Sequence, residues 1–293
     1  MEHLRHQRVV ITGAASGIGR ATAQAFLSRG ARVYGVDLDA EGLASLCHKW
    51  EGHGDPGTHG DSGPCLREPR GRFHAHVADV RDAEAMEELA ALVFKNAGRV
   101  DLLHLNAGVM IGGRVETLAV EEWRRAIEVN LLGAVNGVCA FVPRMMRQGG
   151  GGHLVVTASV AGLVGFPLCG PYSASKFGLV GLCESLGPEL AAAGIWVTAI
   201  CPGMVRTQIL ERGRVELPGK GRGILDQAMA RFALSPEEVA SEVMTAFRKR
   251  RGGILVMGIG TRPLWWLHRL ARGGYGAAME AICRRALKRD DGD

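Results

Sequence analysis

Thr12-Gly13-Ala14-Ala15-Ser16-Gly17-Ile18-Gly19, residues 12–19, joins a short β-branched run to the start of a helical pattern. The preceding run at 8–12 is almost wholly apolar, as is typical of a parallel strand buried on both faces. Glycines in such a turn allow a tight bend and let a pyrophosphate approach the backbone. The following helix N-terminus offers free N–H groups to phosphate. The stretch therefore predicts a strand–turn–helix unit that binds a dinucleotide, although a purely structural turn remains an alternative on this evidence alone.

Asp37 ends the next apolar run, about twenty residues further on, and it bears on the choice of dinucleotide. A carboxylate at this position can accept hydrogen bonds from the adenosine ribose and would repel a 2′-phosphate. Leu38 follows it and Ser16 precedes Gly17, so no basic side chain stands next to either position. The pattern favours NAD over NADP. The alternative is that Asp37 merely caps a helix.

The rest of the chain repeats the same alternation of strand and helix. Such alternation implies right-handed βαβ crossovers, and hence an α/β fold with a doubly wound, Rossmann-like parallel sheet of about seven strands and helices on both faces. Strands are predicted at 8–12, 32–37, 73–78, 101–105, 153–158, 195–200 and 253–257. Helices are predicted near 17–29, 40–49, 82–97, 121–147, 172–192 and 236–248.

These elements make a single domain over residues 1–258, with a tail at 259–293. Residues 51–72 are dense in Gly, Pro, His and Asp without apolar periodicity, which predicts a mobile surface insertion. His and Cys residues near this insertion show neither CxxC nor HxxxH spacing, so no metal site is predicted. In the tail, Pro263 is predicted to start a short helix that Gly273-Gly274 stops, and an amphipathic stretch follows.

Composition excludes several classes of protein. The 293 residues are 47% hydrophobic and 22% charged, which belongs to a folded protein with a sizeable core. The net charge of +5 comes from basic residues mixed with acidic ones, so no nucleic-acid partner is expected. Seven scattered cysteines and the lack of an apolar N-terminal segment predict a reduced, cytoplasmic protein.

A second constellation carries chemistry. Tyr172 and Lys176 stand four residues apart, and therefore on one face of a predicted helix. A nearby ammonium favours the phenolate, so we expect Lys176 to lower the pKa of Tyr172 toward a useful range for a general base. Ser159 ends the preceding strand, and the carboxyl ends of strands are where open α/β sheets hold their ligands. Its hydroxyl could orient a substrate oxygen beside the phenol.

Taken together, these motifs resemble those of the short-chain dehydrogenase/reductase family, over about residues 7–258. The matching positions, in order, are Thr12-Gly13-x3-Gly17-x-Gly19, Asn106-Ala107-Gly108, Asn130, Ser159, Tyr172, Lys176 and Pro202-Gly203. Leu105 departs from the pattern, because the family often has Asn there.

The resemblance implies a role for each residue of the catalytic set. Tyr172 is similar to the family's catalytic acid/base, and Lys176 to the residue that lowers its pKa and holds the nicotinamide ribose. Ser159 resembles the group that orients the substrate oxygen. Asn130 resembles the one that fixes a water in a proton relay.

The resemblance also implies a cofactor site. Asp79-Val80 is similar to the pair that contacts adenine, and Asn106-Ala107-Gly108 to the stretch that lines the cofactor. Pro202-Gly203, with Thr207, resembles the segment beside the nicotinamide amide. The full predicted set is Thr12, Gly13, Ser16, Gly17, Ile18, Gly19, Asp37, Asp79, Val80, Asn106, Ala107, Gly108, Tyr172, Lys176, Pro202, Gly203 and Thr207.

The loop after Ser159, residues 160–168, carries no charge and predicts an apolar substrate wall. Residues 204–235 resemble the family's variable substrate loop. We therefore expect an enzyme that exchanges hydride between NAD and a lipophilic secondary alcohol or its ketone. The alternatives are an NADPH-dependent ketoacyl or carbonyl reductase and, outside enzymes, a dinucleotide sensor or scaffold.

The tail bears on partners. It combines Trp265 and Trp266 with basic residues, which suits either a membrane interface or packing on protein. We favour packing on the body or on a neighbouring subunit over peripheral membrane contact. A homodimer or homotetramer is expected.

Overall fold

A computed structural model of the chain describes residues 4–51, 72–216 and 221–287. The predicted insertion at 51–72 lies outside the described residues except for its two end positions. Four residues of the predicted substrate loop and the last six of the tail also lie outside them.

Seven parallel strands form the central sheet, and across the sheet they lie in the order 73–77, 32–37, 8–12, 102–105, 152–157, 195–202 and 253–257. The order confirms the predicted doubly wound sheet. Two further strands of two residues each, Ile111–Gly112 and Arg214–Val215, pair separately and were not predicted. In chain order the strands are β1 Arg8–Thr12, β2 Arg32–Asp37, β3 Phe73–Val77, β4 Leu102–Leu105, β5 Ile111–Gly112, β6 Gly152–Thr157, β7 Ile195–Pro202, β8 Arg214–Val215 and β9 Gly253–Met257.

Helices cover both faces of this sheet, as predicted. The longest of them, Gly170–Ala191, carries the Tyr172–Lys176 pair. In chain order the helices are α1 Gly17–Leu27, α2 Ala40–Glu51, α3 Ala83–Ala97, α4 Val120–Ile127, α5 Gly133–Arg147, α6 Gly170–Ala191, α7 Ile209–Arg212, α8 Gly221–Phe232, α9 Pro236–Lys249, α10 Thr261–Leu270 and α11 Arg272–Leu287.

Two apolar cores hold the layers together. Residues of α1, α2 and α9 pack on one face of the sheet, with Phe26 and Val243 fully buried. Residues of α3, α5 and α6 pack on the other face, with Phe141 fully buried. The strand order reverses between β1 and β4, and ligands of open α/β sheets bind outside the carboxyl ends of the strands at such a switch point.

The single helix predicted over 121–147 is wrong in one respect. A π-helical segment, Glu128–Leu132, separates α4 from α5 and contains Asn130. Such segments occur often at functional sites, where the extra residue re-aims a side chain. The run Val120–Arg147 is apolar and long enough to span a membrane, with a mean hydropathy of 1.5 in its most apolar window. Here it packs on α3 and α6 within the α/β body.

The prediction that Gly273-Gly274 stops the tail helix is also wrong. Helix α11 begins at Arg272 and runs through both glycines, so Ala271 alone separates it from α10. Glycine costs a helix only about 1 kcal/mol relative to alanine, which packing elsewhere in the helix can offset. Tyr275, one residue after the pair, is buried and provides such packing.

The tail packs on the body of the protein. The Tyr275 hydroxyl donates a hydrogen bond to the Gly165 carbonyl at 2.6 Å. The Tyr275 side chain clusters with Val160 and Val164, and Met279 packs beside them. Trp265 is partly buried against the main core, whereas Trp266 is about half exposed. Contact of the tail with a membrane or a second subunit stays a prediction.

Three buried histidines predict how stability depends on pH. Burial is the main cause that lowers the pKa of His74 and His153 to about 4 and that of His104 to about 3. Each folded pKa lies below the unfolded value, so the stabilisation from the neutral form is complete above pH 6.5 and is lost as the pH falls. At pH 5 each histidine should cost about 2 kcal/mol of unfolding free energy.

Urea unfolding at pH 7.5 and pH 5 measures this loss. His153→Leu should reduce the difference between the two unfolding free energies by about 2 kcal/mol, the contribution of that one histidine. Equal pH dependence in the unmodified protein and in this variant would contradict the assignment.

Candidate active site

The glycine turn between β1 and α1 has a conformation that only glycine accommodates well. Gly13 and Gly17 have φ values of +69° and +52°. A Cβ on Gly13 would lie 2.9 Å from the Ala107 Cα, and one on Gly19 would overlap the Gly13 carbonyl oxygen. No acidic residue stands in the first turn of α1, so its N–H groups keep their partial positive charge toward the cavity.

Asp37 lies at the end of β2 beside this turn. One carboxylate oxygen accepts a hydrogen bond from the Ala15 N–H at 2.9 Å, and the other accepts one from the Asp39 N–H at 3.0 Å. The carboxylate therefore holds the turn and faces the same cavity as the exposed Leu38. A bound ribose would share the carboxylate with these two backbone N–H donors.

Arg81 was missed by sequence reasoning. Its guanidinium forms an ion pair with Asp79 at 2.6 Å, and this hydrogen bond is the main cause that holds the pKa of Asp79 below its usual range. Both side chains line the cavity near Val80. Arg81 directly follows the predicted adenine contact Asp79-Val80. A basic residue next to that pair is the sequence signal that could have identified it.

The segment after β4 is tied directly to the glycine turn. The Thr12 hydroxyl oxygen accepts hydrogen bonds from the N–H groups of Asn106 and Ala107, at 2.9 and 3.1 Å. Leu105, the departure from the family pattern, is buried and fills space that Gly137 of α5 leaves free. The change from Asn is therefore accommodated by packing.

Ser159, Tyr172 and Lys176 come together in the lining of the cavity. The Ser159 hydroxyl and the Tyr172 phenol both line this cavity, and Ser159 is close enough to lower the pKa of Tyr172. The Ser159 hydroxyl accepts a hydrogen bond from the Ala161 N–H at 3.1 Å. The Lys176 ammonium donates to the Thr157 carbonyl at 2.7 Å and lies 5.6 Å from the centre of the Tyr172 ring.

The expected lowering of the Tyr172 pKa by Lys176 is not found. Burial raises the pKa of Tyr172 to about 12, and Ser159 opposes this only in part. Burial also lowers the pKa of Lys176 to about 8. The sequence argument placed the ammonium close to the phenol but took no account of desolvation, which disfavours the charged form of both groups.

Asn130 lies in the π-helical segment and uses its whole amide within the protein. Its Oδ1 accepts from the Val109 N–H at 2.7 Å. Its Nδ2 donates to the Val109 carbonyl at 3.0 Å and to the Ser175 hydroxyl at 2.9 Å. Asn130 therefore joins the segment after β4 to α6, and its role in holding a water stays a prediction.

One cavity of about 1800 Å³ collects nearly all of the predicted site residues. Three predicted residues lie behind the lining and support it instead: Thr12, Gly19 and Asn130. The predicted residues that do line it are Gly13, Ser16, Gly17, Ile18, Asp37, Asp79, Val80, Asn106, Ala107, Gly108, Ser159, Tyr172, Lys176, Pro202, Gly203 and Thr207.

Part of the wall of this cavity is apolar. Phe166 and Leu168 belong to the loop predicted to form such a wall. Met229 and Phe232 of α8 also line the cavity and belong to the predicted substrate loop, residues 204–235. Leu264 and Met279 of the tail line it as well. These two were not predicted, since they are distant in the sequence and belong to helices without a particular motif.

Comparison with known proteins finds similarity to dehydrogenases and oxidoreductases. A family model described as short chain dehydrogenase matches residues 7–61 and 63–216. The probable oxidoreductase EphD of Mycobacterium tuberculosis is 33% identical over 250 residues, which make up 83% of this chain. The chain spans only 40% of the length of that relative.

Two solved structures share the fold. A short-chain dehydrogenase/reductase of Burkholderia phymatum in complex with NAD is 29% identical with a TM-score of 0.72, and the match covers 100% of this chain and 99% of that one. An alcohol dehydrogenase of the archaeon Thermococcus sibiricus complexed with 5-hydroxy-NADP is 27% identical with a TM-score of 0.69. That match covers 86% of this chain and 96% of the other.

Proposed function

The chain belongs to the short-chain dehydrogenase/reductase family of oxidoreductases, and on that premise we propose that it exchanges hydride between NAD(H) and an apolar secondary alcohol or its ketone. The observation that carries the proposal is the joint placement of Ser159, Tyr172 and Lys176 in the cavity that also contains the glycine turn. A dinucleotide and a small substrate need such a shared space.

The residues present fit a nicotinamide dinucleotide. Glycines at positive φ and the open N-terminus of α1 suit its pyrophosphate, and Asp37 suits a ribose. When bound, its nicotinamide ring supplies the hydride acceptor or donor and, in the oxidised form, a positive charge.

Tyr172 moves the proton in this proposal. As a neutral phenol it donates a proton to the ketone oxygen in reduction, and in oxidation it accepts the proton of the alcohol. Ser159, which lines the cavity together with Tyr172, orients the substrate oxygen beside the phenol. Because burial raises the pKa of Tyr172, the oxidative direction requires a nearby positive charge to favour the phenolate.

Asp37 supports the preference for NAD. Its carboxylate and the adjacent Leu38 present a negative charge and an apolar side chain where a 2′-phosphate would need a cation. We expect the double change Asp37→Ala with Leu38→Arg to shift the ratio of NADP to NAD affinity at least about tenfold toward NADP. Isothermal titration of both cofactors measures the ratio.

Leu38→Arg alone is the matched control. It adds the cation but keeps the carboxylate that holds Ala15 and Asp39, so it should shift the ratio less than the double change. The preference for NAD is wrong if the unmodified protein already binds NADPH more tightly than NADH.

A second candidate is an NADPH-dependent reductase of ketones. Arg81, which lines the cavity beside Asp79, is the observation that favours it, since a guanidinium pairs well with phosphate. The same cofactor titration decides between the two candidates.

The proposed substrate class rests on the apolar walls contributed by Phe166, Met229, Phe232, Leu264 and Met279. Apolar walls select apolar substrates by burial. A panel of secondary alcohols and ketones of increasing lipophilicity, assayed with NAD and NADH, tests the proposal. Specificity constants should rise with the apolar area of the substrate. A preference for small polar polyols would contradict the substrate class but not the reaction.

A further inference from the structure

His104 and Thr157 form a buried side-chain pair behind the glycine turn, and the proposed reaction makes no use of the histidine. His104 in β4 is fully buried, and its Nε2 lies 2.8 Å from the Thr157 hydroxyl oxygen. In the register of β4 and β6, His104 is opposite Val155, so Thr157 is its diagonal neighbour. The imidazole is thus directed toward the carboxyl end of the sheet.

The direction of each hydrogen bond in this region follows from two backbone carbonyls. The Asn106 Nδ2 donates to the carbonyl oxygens of Thr12 and Gly13, at 3.1 and 3.4 Å, and those oxygens can only accept. The Asn106 Oδ1 therefore faces the Thr157 hydroxyl at 3.0 Å and accepts its single proton. The Thr157 oxygen is left as an acceptor, so His104 must donate to it from Nε2.

The tautomer that this chain of bonds requires is the one that the surroundings of His104 favour. Its Nδ1 is buried and has no hydrogen-bond partner among the residues that the structure describes. A second proton there would find no acceptor, and burial lowers the pKa of His104 to about 3. The imidazole is therefore neutral, with its proton on Nε2.

The chain of bonds reaches the cofactor site at two points. Through Asn106 it reaches the glycine turn, where Gly13 approaches Asn106 and Ala107 so closely that a Cβ would lie 2.9 Å from each. Through the Thr157 backbone it reaches Lys176, whose ammonium donates to the Thr157 carbonyl. A shift of Thr157 would displace both.

We propose that His104 is a positioning residue for the dinucleotide: by donating to the Thr157 hydroxyl, it holds the Thr157–Asn106 link that sets the place of the glycine turn. The inference rests on the proposed function, because the turn matters only if a dinucleotide binds there. His104 itself does not line the cavity and acts through Thr157 and Asn106.

The chain contains a matched control for this pair. His153 Nε2 lies 2.7 Å from the Thr198 hydroxyl. In the register of β6 and β7, His153 is opposite Trp196, so Thr198 is its diagonal neighbour, as Thr157 is for His104. The Thr198 hydroxyl donates to the Arg251 carbonyl rather than toward the site. His153 also precedes Thr157 by four residues on the same strand, which is about 13 Å.

The test compares His104→Leu with His153→Leu in a direct titration of NAD at pH 7.5. Losing one hydrogen bond that positions the turn should weaken NAD binding about three- to tenfold in His104→Leu. His153→Leu, which loses the same type of pair, should bind NAD within about twofold of the unmodified protein. The melting temperatures of the two variants without cofactor should change similarly.

His104→Gln provides the rescue. A glutamine amide can place its Nε2 where the imidazole Nε2 lies, so NAD affinity should return to within about twofold of the unmodified protein. The NAD affinities of Thr157→Val and Thr157→Ser provide a second, independent comparison. Val removes the hydroxyl and should weaken NAD binding as His104→Leu does, and adding His104→Leu to Thr157→Val should have no further effect.

Unchanged NAD affinity in His104→Leu would overturn the inference, and so would an equal loss in His153→Leu. If the unmodified protein bound neither NAD(H) nor NADP(H), the proposed function would itself be wrong. Binding in the unmodified protein with no difference among the variants would overturn the role of His104 alone.

Discussion

Replacing Tyr172 by phenylalanine is expected to lower turnover at least about a hundredfold, because general acid–base catalysis contributes about 10² to 10⁴. The ring and its packing remain, so binding of NAD(H) should stay nearly unchanged. Only the phenol hydroxyl, whose pKa Ser159 lowers, is lost. Steady-state rates with a substrate from the panel, together with a titration of NAD, separate the two effects.

Tyr34→Phe is the control for this change. The Tyr34 side chain is fully buried in β2, and its hydroxyl has no hydrogen-bond partner among the described residues. Its removal should leave turnover and cofactor binding as they are. Near-normal turnover in Tyr172→Phe would show that another group moves the proton.

Ending the chain after Gly260 is expected to have the second large effect, because α10 and α11 both stabilise the body and contribute to the apolar wall of the cavity. The change removes Tyr275, which is buried against Val160 and Val164. It also removes Leu264 and Met279 from the cavity wall. We expect the melting temperature to fall by about 5 °C or more and KM for an apolar substrate to rise at least about tenfold.

Two milder variants bracket this result. Tyr275→Phe removes only the hydrogen bond to the Gly165 carbonyl and should cost about 1 kcal/mol of unfolding free energy. Ending the chain after Leu287 keeps all the contacts described above and should change neither the melting temperature nor KM for the apolar substrate. An unchanged melting temperature after the cut at Gly260, with strong co-sedimentation of the intact protein with anionic vesicles, would instead favour membrane contact by the tail.

Much of the fold and the site could be predicted from the sequence because the signals are local. The turn at 12–19 needs its glycines for reasons that involve only its own strand, helix and backbone conformation. The spacing of Tyr172 and Lys176 places both on one face of any helix. Alternation of apolar runs with helical periods predicted the seven strands of the central sheet and the helices between them, and the right-handed crossover rule predicts the hand of their connections.

What the sequence did not reveal depends on neighbours that are distant along the chain. The pKa of Tyr172 depends on burial by all the residues packed around it, and not on the spacing of Lys176 alone. Helix α11 continues through Gly273-Gly274 because Tyr275 packs 110 residues away on Gly165. His104 gains a partner 53 residues later only when β4 and β6 pair.

The sequence by itself thus determined the main strands and helices, their order along the chain and the chemical groups at the strand ends, since propensity, periodicity and turn geometry act over a few residues. Only the tertiary structure decided the protonation of those groups, the walls of the substrate cavity and the hydrogen-bond chain from His104 to the glycine turn. Desolvation and side-chain pairing arise from groups brought together by folding, and no short stretch of sequence contains both partners.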